Sequence, residues 1–374
     1  MKKGLTILLG IIITAPPGCR QTYAPPAITN PPRYLVVEGF INNNSADTTV
    51  FTLSRTVPLA DSSTYTAETG ATVAIEDSAG NRYSLIETDQ GIYSYPPYPF
   101  NNKTKYRLHI FTTGREEYTS DFIPLVSNPP IDSITWARSD DPLHLGVTIF
   151  ANTHDPNNNT RYYRWACEQT WEYHVKYYTL WGLVNNIPTS LNGDTAYICW
   201  RSDNTTTIDL ASSTQLAQDV IYQAPLTLIP LNSQLLQIEY STLVKQYALT
   251  KDAFTWWQIL KKNTEQIGSI FGVQPSANPG NIHCLSDTTK QVLGYVSGGN
   301  IQKQRIFITN DQVTPWTYVD DCIDSTVSPS EAAEFLNRGY LLFNIVQGPG
   351  YVISHNYCVD CTLTGTNKKP SYWQ

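Results

Sequence analysis

The sequence predicts a mainly β chain. An N-terminal immunoglobulin-like β-sandwich is followed by a second sandwich-like domain with an inserted amphipathic helix, then an irregular, disulfide-stapled C-terminal region. Three observations carry this. Short runs rich in β-branched and aromatic residues recur between turn signals from Tyr34 onward. A single window near 250–265 shows apolar residues at helical spacing. Cys322, Cys358 and Cys361 crowd into the final stretch among glycine-containing turns.

Strand-like runs at 34–41, 49–54, 72–76, 83–87, 106–112 and 118–122 are divided by Asn42-Asn43-Asn44, Ala79-Gly80-Asn81 and Gln90-Gly91. That density of strands is the spacing of a sandwich, assigned to 33–126. Ser127-Asn128-Pro129-Pro130 marks a boundary, and a second β-rich domain, 127–310, reopens at Ile131. In it, Tyr162, Arg164, Ala166 and Glu168 alternate with Tyr163, Trp165, Cys167 and Gln169, so one face is the more apolar. Ala253, Trp256, Trp257 and Leu260 then fall at i, i+3, i+4 and i+7. Thr250 is the expected N-cap, Asp252 sits in the first turn, and Lys261-Lys262 suit the last. Packing on a sheet is the expected use of that stripe; a partner-binding face is the alternative. Residues 311–374 form the Cys-containing extension.

Composition excludes several classes. Of 374 residues, 25 are Lys or Arg and 32 are Asp or Glu, a formal charge of −7 without a basic run. Nucleic-acid affinity comes mainly from neutralised phosphates, so no nucleic-acid partner is expected. An apolar fraction of 41% with 24 Tyr and 9 Trp is enough to build large cores. No apolar run reaches the roughly 18 to 20 residues of a spanning helix.

The first 18 residues read as a lipoprotein signal peptide. Lys2-Lys3 is a basic start, 5–15 an apolar core too short to span, and Gly18-Cys19 a small residue before a cysteine. Cys19 is the expected lipid attachment site, although Pro16-Pro17 departs from the usual residues before it. The alternative is an ordinary signal peptide cut elsewhere. Residues 19–32 are a Pro-rich, extended tether. Acylation would hold the chain at a membrane without a spanning helix.

The other six cysteines, Cys167, Cys199, Cys284, Cys322, Cys358 and Cys361, suit an exported chain with up to three disulfides. The preferred pairing joins Cys167 to Cys199 and puts two bridges among the last four. Cys358-Val-Asp-Cys361 lacks the second Cys/His pair of a zinc site, and no metal or cofactor is expected.

No H-E-x-x-H or G-x-S-x-G motif occurs, and no catalytic residue is assigned. Asp155-Pro-Asn157-Asn-Asn159 starts like a calcium loop but lacks its glycine and final glutamate, and reads as a polar hairpin loop. Glu168 and Glu172 would share a strand face and are the candidates if the chain is instead a hydrolase of glycans or peptides. Aromatic residues crowd between Trp165 and Trp181. Trp171, Tyr177 and Trp181 are the expected contact residues for a glycan, peptide or protein, and core packing is the competing explanation.

Several segments taken together resemble one family. They include Tyr34-Leu-Val-Val-Glu-Gly39, Pro129-Pro-Ile-Asp-Ser133, Arg161-Tyr-Tyr-Arg-Trp165, Val244-Lys-Gln-Tyr-Ala-Leu249, Gly280-Asn281, Gly294-Tyr-Val296 and Lys369-Pro-Ser-Tyr-Trp373. The chain is similar to domain-of-unknown-function family 4249, outer-membrane lipoproteins of Bacteroidota. The resemblance implies a lipid-anchored, non-enzymatic accessory of a TonB-dependent receptor in nutrient uptake, and carries over no catalytic residues. A structural envelope lipoprotein is a further alternative. Arg20-Gln-Thr-Tyr follows Cys19 where surface-displayed relatives have acidic residues, so the cell surface and the periplasmic face both stay open.

Overall fold

The computed structural model describes residues 33–57, 66–142, 145–184, 187–191, 196–265, 278–346, 348 and 350–374. The signal segment, Cys19 and the tether lie outside these residues. Strands dominate, and two α-helices occur among the described residues, α1 (Lys251–Glu265) and α2 (Pro329–Asn337). No helix among them is long and apolar enough to cross a membrane.

The first unit is two sheets around one core. Leu35–Asn42, Thr49–Arg55, Ile86–Asp89 and Ile92–Tyr95 belong to one sheet; Thr72–Asp77, Arg82–Ser84, Lys105–Phe111 and Glu117–Ser120 belong to the other. Period-two alternation turns Leu35, Val37, Phe51 and Leu53 inward from the first sheet and Tyr106, Leu108 and Ile110 inward from the second. Each such side chain contributes about 1.5–3 kcal/mol on burial.

This core is closed from far along the chain. Val292–Gly294 and Ser297–Gly299 pair in parallel with Leu35–Asn42, and Ile282–Cys284 pairs antiparallel with Glu117–Ser120. Residues 282–299, expected within the second domain, therefore complete the first. Two glycines permit the approach. Gly294 has φ +137°, and a Cβ there would lie 2.1 Å from the Val37 carbonyl oxygen; one on Gly280 would lie 1.8 Å from the Gly294 oxygen.

In the second unit, Ile131–Ser139, Gly146–Asp155 and Asp219–Pro230 form a three-stranded sheet. It faces Tyr162–His174, which is flanked by Glu239–Ala248 and by Ile198–Asn204 and Asp209–Ser212, with Gln302–Thr309 beyond. Odd-numbered residues of Tyr162–His174 face inward, so Tyr163, Trp165, Cys167, Trp171 and Tyr173 share one core. The Asp155 turn is a polar loop but not the expected hairpin: the strands it joins, Gly146–Asp155 and Tyr162–His174, lie in different sheets, so the turn carries the chain from one sheet to the other. Its carboxylate accepts the backbone N–H groups of Asn157, Asn159 and Thr160 at 2.8–3.0 Å.

The C-terminal region is a small sheet of Asp324–Val327, Tyr340–Val346 and Gly350–His355 with α2. Ser328 caps α2, accepting the Glu331 N–H, while the Glu331 carboxylate accepts the Ser328 N–H in return. Two disulfides staple the region, Cys199–Cys361 and Cys322–Cys358. The expected Cys167–Cys199 bridge is wrong, and register is the reason. Cys199 lies opposite Tyr173, six residues from Cys167, roughly 20 Å along the strand, whereas a bridge needs Cα atoms within about 7 Å. Only one bridge, not two, joins members of the last four cysteines. Cys167 and Cys284 are free thiols buried in separate cores.

Candidate functional site

Where the two units meet, a cleft of about 1100 Å³ opens between the outer face of Leu35–Asn42 and the strand Glu239–Ala248 with α1. Its size reaches the top of the range usual for small-molecule sites. Each wall follows from strand parity. Val244, Gln246 and Ala248 face the second core, so Lys245 and Tyr247 face the cleft. On the opposite wall Leu35 and Val37 point inward, leaving Val36, Glu38 and Phe40 on the cleft side. The Phe40 ring meets Tyr247 edge-on at 5.2 Å and ties the two walls together.

The helix supplies the third wall. The Thr250 hydroxyl accepts the Ala253 N–H at 3.2 Å, the cap expected there. Ala253 and Phe254 are buried against the sheet, Phe254 on Tyr162 at 5.0 Å. Trp256, Trp257 and Leu260, expected to finish the packing stripe, line the cleft, and Trp257 also packs on the buried cluster of Leu249, Ala253 and Phe254.

Arg164 is the central polar group. It lies directly across from Tyr247 in the strand register, and its guanidinium stacks on Tyr247 at 4.4 Å and Trp257 at 4.2 Å. Burial pulls its pKa below the usual arginine range, against the pull of Tyr247 and Asp209. The other two cations on the walls are paired, Lys245 with Glu168 and Lys303 with Asp47 at 2.6 Å.

The aromatic residues singled out in the sequence lie elsewhere. Trp171 is 5% exposed and belongs to the core, because it shares the odd parity of Trp165 and Tyr173; its expected contact role is corrected. Tyr177 stacks on Phe343 at 4.2 Å and donates to Asp324 at 3.0 Å. Trp181 is half-buried on the hairpin of Trp181–Val184 and Ile187–Ser190. None of the three lines the cleft.

Glu168 and Glu172 do share a face, but four residues of strand separate them by about 13 Å, beyond the carboxylate spacings of glycosidases. The carboxylate opposite Glu172 is Glu239, raised above its ordinary pKa by burial and by Glu172. Glu172 itself accepts the Trp373 indole N–H at 3.0 Å. Among the described residues no three His, Cys, Asp or Glu side chains converge as metal ligands would.

A family model described as "Domain of unknown function (DUF4249)" matches residues 20–305. The chain belongs to the DUF4249 family. No curated protein matches it. The whole cleft wall, from Val36 to Lys303, falls inside the DUF4249 match, and α2 with its sheet lies beyond it. Segments on which the resemblance rested, Tyr34-Leu-Val-Val-Glu-Gly39, Arg161-Tyr-Tyr-Arg-Trp165, Val244-Lys-Gln-Tyr-Ala-Leu249 and Gly294-Tyr-Val296, each contribute to that wall. Arg164 and Tyr247 were missed as site residues. The available signal was a cation and an aromatic on the non-core face of two alternating strands.

Proposed function

We propose that this DUF4249 protein is a non-enzymatic ligand-binding lipoprotein of the outer membrane, acting beside a TonB-dependent receptor in nutrient uptake. The observation that carries the binding role is the cleft at the junction of the two units, with its aromatic walls and an arginine that has no hydrogen-bond or ion-pair partner among the described residues. The anchor rests on Gly18-Cys19 behind a short apolar segment, and the receptor on the resemblance to envelope lipoproteins. A tether at Cys19 would raise the local concentration at a barrel, so a weak docking contact suffices.

Mass spectrometry of the native envelope protein should find acyl chains on Cys19, and Cys19→Ala should lose co-purification with the neighbouring receptor. An unmodified Cys19 thiol removes the anchor from this reading; undiminished receptor recovery with Cys19→Ala removes the tether. Protease shaving of intact cells then decides between the surface and the periplasmic face.

A further inference from the structure

We infer that the cleft takes an amphipathic organic anion, its carboxylate seated on Arg164 and its apolar body laid against Trp256, Trp257 and Leu260. This rests on the reading of the cleft as a binding site and names its ligand class.

Arg164 is stacked but not hydrogen-bonded. Its guanidinium lies over the Tyr247 and Trp257 rings, while among the described residues its N–H groups make no hydrogen bond or ion pair. A guanidinium carries five in-plane donors in a fork that matches a carboxylate. Arg164 is half-buried on the cleft wall, where its partial desolvation has no protein acceptor among the described residues to offset it, and an incoming carboxylate would supply that partner. Glu168 and Asp47 already neutralise Lys245 and Lys303, so among the described residues Arg164 is the cation of the wall left to meet one acidic head. The remaining acid on the wall, Glu38, is exposed on the opposite strand.

The rest of the cleft fits an apolar body. Phe40, Val50 and Leu249 join the two tryptophans and Leu260 along its walls. Two more donors on wall residues, the Trp256 indole N–H and the Ser297 hydroxyl, are buried without a partner among the described residues. A polyanion is disfavoured both by the pairing of Lys245 and Lys303 with carboxylates and by the chain's charge of −7.

Isothermal titration of the full chain with naphthalene-2-carboxylate and with decanoate, each against its own neutral amide, tests the inference. The acids should bind at least about tenfold tighter than the amides, a difference of about 1.4 kcal/mol. Arg164→Met should abolish that preference while keeping the amide affinity, and Arg164→Lys should keep part of it. Equal binding of acid and amide overturns the ligand class and leaves the binding role intact. Binding of neither overturns both. An acid preference that survives in Arg164→Met overturns the role of Arg164.

Discussion

The indole N–H of Trp165 donates to Oε1 of Gln246 at 3.0 Å, and Gln246 is wholly removed from water. The Gln246 amide group donates in turn to Asn128 Oδ1 at 3.0 Å and to the Pro129 carbonyl at 2.9 Å. Asn128 donates back to the Gln246 carbonyl at 2.6 Å and to that of Asn300 at 3.1 Å. The expected boundary at Ser127 is therefore crossed by a satisfied polar network. Arg164, Lys245 and Tyr247, the immediate neighbours of Trp165 and Gln246, form the cleft on the other face of the same strands.

Gln246→Leu should cost about 2–4 kcal/mol, because the Trp165 N–H and the Asn128 Oδ1 lose their partners inside the core. Urea unfolding measures this. A loss under about 0.5 kcal/mol would show that the network contributes nothing net to the joint.

The Cys199–Cys361 bridge closes a sequence separation of 162 residues, for which loop entropy gives up to about 5 kcal/mol. Cys199→Ser with Cys361→Ser should lower the thermal midpoint more than Cys322→Ser with Cys358→Ser, whose separation is 36. The reverse order would locate the main stabilisation within the appendage.

Cys167 should be chemically silent in the folded protein. Burial pushes its thiol up to about 12, leaving almost no thiolate at neutral pH. Native alkylation with iodoacetamide followed by peptide mass mapping should leave Cys167 unmodified; in denaturant, without reductant, Cys167 and Cys284 should both label.

Glu116 and Asp209 should impose pH dependences of opposite sign. Burial raises the Glu116 pKa, but Lys290, Arg55 and Tyr118 outweigh it and hold the carboxylate at about 2. Its contribution is complete above about pH 4.5 and is lost as pH falls toward 2. Glu116→Gln should flatten that acid limb in urea titrations and lower stability at pH 7 by about 1–2 kcal/mol.

For Asp209, burial dominates over Lys261 and Thr207 and lifts the pKa to about 7. The folded state then holds the proton more tightly than the unfolded chain, so stability declines as pH rises from about 4 to 7. Thermal melts of Asp209→Asn against wild type should show an advantage for the variant that grows across this range. A difference independent of pH would mean the buried carboxylate does not titrate there.

Strands, helix and stapled C-terminus were legible because each announces itself locally, by alternation, by the Thr250 cap and by the cysteine spacing. The return of 282–299 was not, since these strands pair with partners more than 150 residues earlier, antiparallel at Ile282–Cys284 and parallel at 292–299, and no hairpin turn marks such a pairing. Disulfide partners depend on register, and a six-residue offset separates Cys167 from Cys199. The parity that buries Trp171 was readable, but crowding of aromatic residues outweighed it. The cleft was invisible for another reason: Phe40 and Tyr247 meet across some 200 positions of sequence.

Because Val292–Gly294 and Ser297–Gly299 shield one edge of Leu35–Asn42, a nascent chain emerging from its N-terminus displays that edge until about residue 300 has followed. Exposed edges recruit other strands. A holding chaperone during synthesis, or very rapid late docking, is what this topology demands, and fragments cut before residue 280 should precipitate rather than fold.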